Sequence, residues 1–191
     1  MKILAFNGSP NKNGNTSFLI DEILSFCKEK GAKTEKIHIL NILNKCKWFP
    51  CTNCSSPCNT TCFKGTDLEK TFEKMKQADC LILASPVYFG TVSGILKCFW
   101  DKTRILRSEK ALIGKKCASV VSGHSKFGGQ ETTIRALHDM ALVQGMEIIA
   151  DGSLEFDAGH HGIASSGNAK EDEYAIHRCK VLASRILGDN R

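Results

Sequence analysis

The hydrophobic residues of this chain fall alternately into short continuous runs and into longer stretches with helical spacing. The first run, residues 3–6, ends in the turn-forming sequence Asn-Gly-Ser-Pro at 7–10. The stretch that follows repeats apolar side chains every three or four residues until Gly31. Short apolar runs predict strands that are buried on both faces, and the three-to-four spacing predicts an amphipathic helix. The chain is therefore expected to begin with a buried strand and a helix.

The same alternation continues to the end of the chain. Strands are predicted near residues 3–6, 37–39, 80–84, 117–121 and 146–150. Helices are predicted from 15 or 16 to 31, from 66 to 75, near 95–100, over 129–144 and over 169–187. Strands that alternate with helices pair in parallel through right-handed crossovers. The predicted fold is a doubly wound five-stranded parallel sheet. Residues 1–191 are expected to form one domain, because this length is only slightly above the ~150 residues of a typical domain.

Charge and chain pattern exclude several functional classes. The chain has 26 Lys and Arg against 20 Asp and Glu, a net charge of +6, and these charges are scattered. Scattered charge argues against nucleic acid as a partner. The opening sequence MKILAFNGSP does not have the pattern of a signal peptide, and no apolar run approaches the ~20 residues that span a bilayer. We therefore expect a cytoplasmic protein with no membrane partner.

Cysteine is the anomaly in the composition, with ten residues in the chain. The loop of residues 44–66, after the second predicted strand, is too long for a simple connection and is predicted to be a functional insertion. Within it, Cys51, Cys54, Cys58 and Cys62 are separated by two, three and three residues. Thiols this close in a polar loop favour a metal site, and four thiolates suit either an iron-sulfur cluster or tetrahedral zinc. A loop of metal-free thiols is the remaining interpretation.

The loop after the first strand is predicted to bind an anion. It runs directly from a strand into a helix, whose first backbone N–H groups are unpaired and whose dipole end is positive. Ser9, Asn15, Thr16 and Ser17 add side-chain donors there. The loop lacks the lysine of a triphosphate-binding P-loop and the G-x-G-x-x-G of a dinucleotide site. These features favour a terminal monophosphate, and an ordinary turn with a helix cap is the alternative.

The loop after the third predicted strand carries aromatic residues at the same edge of the sheet. Its sequence, SPVYFG at 85–90, lies beside the anion loop if the strands have the order of a five-stranded doubly wound sheet. An aromatic platform next to a phosphate site suggests a planar heterocycle that carries a phosphate. The alternative is that Tyr88 and Phe89 only cover the end of the core.

Three segments in this order resemble a known family. They are GSPNKNGNT at 8–16, SPVYFGTVSGILKCFWDKT at 85–103 and GGQETTIRALHDMALVQGM at 128–146. Together they resemble the flavodoxin-like family of NAD(P)H-dependent FMN reductases and iron-sulfur flavoproteins. By this resemblance the FMN phosphate would be held by Ser9, Asn15, Thr16 and Ser17. The isoalloxazine ring would be bracketed by Pro86, Val87, Tyr88, Phe89 and Gly90, with Ser122 and Gly123 completing the site.

The same resemblance implies an activity and its cofactors. It implies an FMN-dependent oxidoreductase that takes electrons from NAD(P)H or reduced ferredoxin and passes them to a small acceptor, as a homodimer or homotetramer. Iron-sulfur flavoproteins carry a compact cysteine motif in the same place, which favours a four-iron four-sulfur cluster over zinc. Their usual spacing is two, two and a longer gap, and this chain has one more residue between Cys54 and Cys58. Where the family usually has Asp-Arg, it has Asp101 and Lys102.

Two other functional classes stay open. One is a non-enzymatic electron carrier, and the other is a zinc-stabilised regulatory module.

A cluster in the loop after the second strand is expected at the same sheet edge as the flavin. Backbone N–H groups of residues 86–90 are expected to stabilise negative charge on the reduced ring. A solvated loop is expected for His160 and His161, with a substrate or nicotinamide entrance as the alternative. His124 lies in the loop after the fourth predicted strand, and no proton-donating role is expected for it.

Overall fold

The computed structural model describes residues 1–189 of the chain and contains a parallel sheet flanked by helices. The strands are β1 (Lys2–Asn7), β2 (Lys33–His38), β3 (Cys80–Pro86), β4 (Lys116–Gly123), β5 (Glu147–Ile148) and β6 (Ile163–Ser166). The helices are α1 (Asn15–Glu29), α2 (Ile39–Leu43), α3 (Asp67–Gln77), α4 (Gly94–Lys102), α5 (Arg104–Ser108), α6 (Gln130–Leu142) and α7 (Glu173–Leu187). None of these helices has both the length and the apolar character that crossing a membrane requires.

The strand order is β2-β1-β3-β4-β5, and every pair is parallel. β1 and β3 are buried along nearly their whole length, as the continuous apolar runs predict for strands covered on both faces. Each parallel connection passes through at least one helix, which is the crossover that parallel pairing requires. The predicted doubly wound parallel sheet is confirmed.

The fifth position of the sheet differs from the prediction. A single strand over residues 146–150 was expected, but only Glu147 and Ile148 pair with the start of β4. The chain then leaves the sheet over residues 149–162 and returns as β6, which pairs with the end of β4 from Val120 to Gly123. The sequence of β6, IASS, has no apolar run. Its pairing is set by β4 and by the loop before it, so hydrophobic pattern alone did not reveal it.

A buried ion-pair cluster holds the loop between β5 and β6 on α7. Arg178 donates from Nε to Asp151 Oδ2 at 2.6 Å, and from Nη1 to both carboxylate oxygens of Asp157 at 2.8 Å. Its Nη2 also donates to the backbone oxygen of Asp151 at 2.8 Å. Arg178 and Asp151 are almost completely buried. Because the charges are paired and hydrogen-bonded, the loop is fixed rather than free to add to β5.

Two short helices also depart from the predicted pattern. Ile39 was expected to end the second strand, but it begins α2. α5 follows α4 after a single residue, Thr103, where no separate helix was predicted. Both are single-turn elements whose apolar residues pack on the core, and such short helices lack the repeated spacing that identifies a longer one.

The two faces of the sheet carry separate cores. Ile3 and Ala5 of β1 point towards the face covered by α1 and α7. Leu4 and Phe6 point towards the face covered by α3, α4 and α6. The ring of Phe6 stacks on Phe99 of α4 with centroids 5.0 Å apart. The cysteine-rich segment, residues 44–66, contains no helix or strand and lies on this second face, where Phe63 is part of the core.

Candidate functional site

The loop after β1 is built from a series of side-chain turns. Asn7 Oδ1 accepts from the N–H of Ser9 at 2.9 Å, and Ser9 Oγ accepts from the N–H of Asn11 at 3.1 Å. Asn11 Oδ1 in turn accepts from the N–H of Asn13 at 3.0 Å. Asn and Ser form such local turns readily because their side-chain oxygens reach the backbone two residues on. The loop therefore has a defined shape without a ligand.

The helix that follows this loop begins without a side-chain cap. Gly14 is its N-cap, so no side-chain oxygen binds the first N–H groups of α1, and its first turn contains no acidic residue. These N–H groups have no partner inside the helix, and they lie at the positive end of its dipole. An uncapped N-terminus after a turn-rich loop is suited to bind an anion.

The four predicted phosphate ligands have different surroundings. Thr16 Oγ1 lies 2.7 Å from Ser122 Oγ, and both residues are buried. Two hydroxyls at this distance share one proton, which leaves the other proton available to a ligand. Ser9 is also buried, with its hydroxyl proton uncommitted by the turn. The structure thus brings Ser9, Thr16 and Ser122 to the same loop edge.

The other two predicted phosphate ligands are engaged in structural hydrogen bonds. Asn15 donates from Nδ2 to the oxygen of Gly167 at 2.6 Å and accepts from the N–H of Ala169 at 3.3 Å. Ser17 Oγ accepts from Lys36 Nζ at 2.8 Å. The Asn15 amide joins the start of α1 to the turn after β6, and Ser17 faces β2. Both side chains stabilise the elements around the loop.

The loop after β3 forms a tight turn that carries its aromatic residues outward. Tyr88 and Thr91 exchange two backbone hydrogen bonds, of 3.0 and 3.2 Å. Phe89 and Gly90 between them have φ values of 51° and 78°. Two consecutive positive φ values are typical of a type I′ turn, in which glycine is favoured. The Phe89 side chain is fully exposed and Tyr88 is partly exposed. The N–H groups of Phe89 and Gly90 donate to no other group in residues 1–189.

Direct contacts join the loop after β3 to the end of β4 and to α6. The N–H of Val87 donates to the oxygen of Ser122 at 2.9 Å, and Pro86 pairs with Ser122 in the sheet. Thr132 Oγ1 donates to the oxygen of Gly90 at 2.8 Å, which holds the turn against α6. Gly123 lies against the Gln130 side chain and accepts from the N–H of Gly167 at 3.0 Å. The loops after β1, β3, β4 and β6 therefore meet at one edge of the sheet.

Gly8 permits the close approach of the first loop to α4. Its N–H donates to the oxygen of Ala84 at 2.8 Å, and its oxygen accepts from Ser93 Oγ at 2.6 Å. A Cβ atom at Gly8 would lie 2.8 Å from Leu96 Cβ and 2.9 Å from the oxygen of Ala84. No other residue type fits without displacing α4 or β3.

The three loop histidines are exposed, as expected for His160 and His161. His124 follows β4; its backbone oxygen accepts from the N–H of Gly167 at 3.0 Å, and its side chain makes no hydrogen bond in the part of the chain that the structure describes. The N–H of His160 donates to Asp151 Oδ1 at 2.6 Å, and the backbone oxygen of His161 is 2.9 Å from His138 Nε2. Burial lowers the pKa of His138 below its usual value. His160 and His161 line a cleft between α6 and α7, together with Glu131 and Tyr174.

The cysteine-rich segment folds its thiols around a pocket. Cys51, Cys54, Cys58 and Cys62, the four predicted metal ligands, all line it. Trp48, Lys102 and Arg104 line the same pocket. Cys46 does not, and its thiol instead approaches the oxygen of Ile42 at 3.6 Å. The structure thus separates Cys46 from the other four thiols, and no disulfide forms between any of the ten cysteines.

The four thiols that line this pocket are a ligand set used by more than one metal centre. Tetrahedral zinc requires four sulfurs about 2.3 Å from one point, and an iron-sulfur cluster binds one thiolate at each iron. In residues 1–189, no group of three or more His, Cys, Asp or Glu side chains is placed to hold a metal ion.

Lys102 is a site residue whose location the sequence did not reveal. Its Nζ donates to Cys62 Sγ at 3.3 Å, and the side chain is 1% exposed. Sequence reasoning placed it at a corner of the flavin site. The sequence did contain a signal that position 102 is buried. Lys102 lies three residues after the buried Phe99 and seven after Ile95, a spacing that places it on the apolar face of the helix.

The pocket lies farther from the flavin loops than predicted. A loop after the second strand was expected at the same sheet edge as the loops after β1 and β3. The pocket instead contacts the end of α4, whereas the start of α4 contacts Gly8 through Ser93. α4 has nine residues, which correspond to about 13 Å at 1.5 Å per residue. The segment leaves the carboxyl edge of the sheet and continues along the face that α4 covers.

The remaining cysteines behave as core residues. Cys27, Cys80, Cys117 and Cys179 are completely buried. Burial raises the pKa of Cys27 to about 11 and that of Cys117 to about 12. Cys98 is partly buried, and burial also raises its pKa. Thiols with raised pKa values stay protonated at neutral pH and are poor metal ligands.

Comparison with known proteins agrees with this geometry. A sequence model of the family described as NADPH-dependent FMN reductase matches residues 1–161. The chain belongs to this family. An iron-sulfur flavoprotein of Methanocaldococcus jannaschii is 35% identical over 188 residues, which cover 97% of this chain and 95% of that protein. Family membership confirms that the protein is an FMN-dependent oxidoreductase, as the sequence motifs implied.

Solved structures show the same fold. An NADH:FMN oxidoreductase in its apo form overlays with a TM-score of 0.71 at 19% identity, covering 98% of this chain and 89% of that one. A flavodoxin from Fusobacterium nucleatum, bound to flavin mononucleotide, overlays with a TM-score of 0.63 at 16% identity, covering 100% and 99% of the two chains. These matches confirm that this member of the FMN reductase family has a flavodoxin-like fold.

Substitution of Gly8 tests the close packing of the first loop. We expect Gly8→Ala to lower the free energy of unfolding by ~1–3 kcal/mol, because the added methyl group overpacks against Leu96 and Ala84. Gly94 begins α4, and a Cβ atom at this position would have no neighbouring atom within 4 Å. Gly94→Ala is therefore a matched control, expected to be neutral or stabilising by up to ~1 kcal/mol. Urea denaturation measures both, and equal effects of the two substitutions would contradict this account.

Proposed function

We propose that this member of the FMN reductase family takes electrons from NAD(P)H or reduced ferredoxin and passes them to a small acceptor molecule. FMN is held at the edge where the loops after β1, β3 and β4 meet, and a four-iron four-sulfur cluster in the cysteine pocket is a second redox group. The observation that carries the proposal is the contact of the uncapped start of α1 with Ser122 and of Ser122 with Val87, the residue before the turn at 88–91. An anion site next to an aromatic turn fits a flavin monophosphate.

In this proposal, the phosphate accepts hydrogen bonds from the first backbone N–H groups of α1 and from two hydroxyls. Ser9 provides one hydroxyl and the Thr16–Ser122 pair provides the other, because the proton of Ser9 and one proton of the pair are available at the loop. Asn15 and Ser17 contribute differently, since their side chains hold Gly167 and Lys36. Gly123 and Ser122 form the wall next to the turn. Backbone donors at a helix start bind a phosphate without a lysine, in agreement with the sequence of the loop.

The turn at 88–91 and the end of β3 contact the ring in this proposal. Pro86 and Val87 are fixed by pairing with Ser122, so the backbone there is rigid. The unpaired N–H groups of Phe89 and Gly90 point from a turn whose shape requires glycine. When bound, FMN accepts electrons in pairs or singly and passes them on in either way. The two N–H groups stabilise negative charge on the reduced ring.

Removal of the two hydroxyls tests the phosphate site. We expect Ser9→Ala and Thr16→Val each to raise the Kd for FMN roughly 10- to 100-fold, since a hydrogen bond to a charged group contributes about 1.5–3 kcal/mol. Riboflavin, which has no phosphate, is expected to bind both variants as it binds the parent protein. Ser17→Ala is the control, with an FMN affinity within about threefold of the parent value. Fluorescence titration measures each Kd, and an equal loss of riboflavin affinity would disprove the phosphate assignment.

The cluster is proposed at Cys51, Cys54, Cys58 and Cys62 because these thiols share one pocket next to a buried cation. When bound, such a cluster supplies one-electron transfer. Zinc is the weaker interpretation, since relatives of the chain are iron-sulfur flavoproteins. Trp48 borders the pocket and shields it from solvent on one side.

Iron and sulfide analysis tests the cluster. We expect protein purified without oxygen to contain about four iron and four sulfide per chain, and Cys58→Ser to lose most of both. Cys46→Ser removes a thiol of the same segment that does not line the pocket, so it is the control and should keep its iron. A zinc-containing parent protein, or equal iron loss in both variants, would overturn this assignment.

Turnover distinguishes a reductase from an electron carrier. We expect anaerobic NADH or NADPH to bleach the bound flavin, and steady-state oxidation of one of them in the presence of an artificial acceptor to exceed the rate with free FMN. The flavin-free protein is the control. Reduction by dithionite without turnover of the acceptor by either nicotinamide or reduced ferredoxin would instead assign the role of a carrier.

We also propose that copies of the chain associate as a homodimer or homotetramer. Phe89 and Phe127 lie on the two loops beside the flavin edge, and both side chains are fully exposed. Exposed aromatic residues are enriched in protein interfaces. A neighbouring copy that covers these loops would also exclude water from the flavin.

A further inference from the structure

A buried ammonium group faces the cysteine pocket without a carboxylate partner. Lys102 is the last residue of α4, and only 1% of its surface is exposed. Its adjacent residue, Asp101, binds Lys97 instead at 2.6 Å. Among the residues that the structure describes, the one hydrogen-bond partner of Lys102 Nζ is Cys62 Sγ, at 3.3 Å.

This environment is unfavourable for a charged group unless negative charge is added. Fully buried lysines are rare, and those that occur are usually paired with an anion. A neutral thiol is a weak hydrogen-bond acceptor and carries no charge to compensate the ammonium. The protein part of the pocket therefore has an excess of positive charge, which is increased by Arg104 on the same wall. The positive charge of the pocket is compensated only when an anionic group is bound there.

Thiolate ligands provide the missing charge. Four cysteine thiolates around an iron-sulfur cluster give a group of net negative charge, and reduction by one electron makes it more negative by one unit. A fixed cation against one ligand sulfur favours the more negative, reduced form. Hydrogen bonds to ligand sulfurs and local net charge are the factors through which a protein changes the potential of such a cluster. Burial strengthens the effect because water does not screen the charge.

We propose that Lys102 is the counter-charge of the centre held by Cys51, Cys54, Cys58 and Cys62, and that its ammonium group raises the reduction potential of that centre through its contact with Cys62. This inference rests on the proposed function, because it requires the cluster. In the reduction step the centre gains one electron from the reduced flavin. A higher potential favours electron transfer from the flavin to the cluster.

The test compares potentials in the full-length protein purified with its cofactors. Lys102→Met removes the charge and keeps the length of the side chain. We expect this variant to retain iron, sulfide and FMN, with a potential lowered so that the ratio of reduced to oxidised cluster at a fixed poise falls at least tenfold. For a one-electron couple, this change corresponds to about 59 mV. A redox titration followed by electron paramagnetic resonance measures the potential independently of turnover.

Two further variants separate charge from packing. Lys102→Arg keeps the charge and is expected to keep a potential close to the parent value. Lys97→Met removes an exposed lysine of the same helix, which binds Asp101, and is expected to leave the potential unchanged. If Lys102→Met does not fold, Lys102→Gln replaces it as the neutral variant. A folded neutral variant that loses its cluster, while Lys102→Arg retains it, would also support the requirement for charge.

Failure of this inference is distinct from failure of the proposed function. If the parent protein contains no iron and sulfide, the cluster proposal is wrong, and so is this inference, which depends on it. A cluster with the same potential in the parent protein and in the neutral Lys102 variant would leave the cluster in place and overturn only the role of Lys102. A shift of equal size in Lys97→Met would show a general charge effect and would also overturn it.

Discussion

Parallel pairing of β1, β3 and β4 determines where the candidate cofactor contacts of this protein lie. Because the strands run in the same direction, the loops that follow them leave at one edge of the sheet. The register places Asn7 beside Ala84 and Pro86 beside Ser122, so three loops that are distant in sequence start as neighbours. Short contacts then complete the arrangement, among them Thr16 with Ser122 and Thr132 with Gly90. Only this arrangement brings the uncapped start of α1 next to the other loops of the candidate site.

The second region of interest depends on charge rather than on strand order. The cysteine segment lies on the face covered by α4, and the end of that helix places a buried lysine against one of its thiols. α4 therefore connects the two regions: its start packs on Gly8, and its end borders the thiol pocket. A displacement of this helix would affect both ends, since the stacking of Phe99 on Phe6 fixes it to the central strand.

The central strands and the long helices were predictable because burial on both faces leaves a continuous apolar run, and one buried helical face leaves a regular stripe. The strand pairing at the edge of the sheet was not predictable in this way. β6 has a mixed sequence, and its pairing depends on β4 and on a loop held by Arg178 with Asp151 and Asp157. In the candidate site, residue types predicted an anion loop at a helix start, and the structure has a turn-rich loop there that leads into α1. The residue types did not show that the Asn15 amide binds Gly167 or that Ser17 binds Lys36.

The sequence alone indicated the alternation of strands and helices, the asparagine- and glycine-rich loop after the first strand, the aromatic loop and the group of four cysteines, because each of these is a local pattern of residue types. Its motifs also indicated the FMN reductase family, which the family match confirms. Only the tertiary structure placed Lys102 against Cys62, beside the thiol pocket. Such relations join residues about forty positions apart, and their energy depends on burial and distance, which a local pattern does not contain.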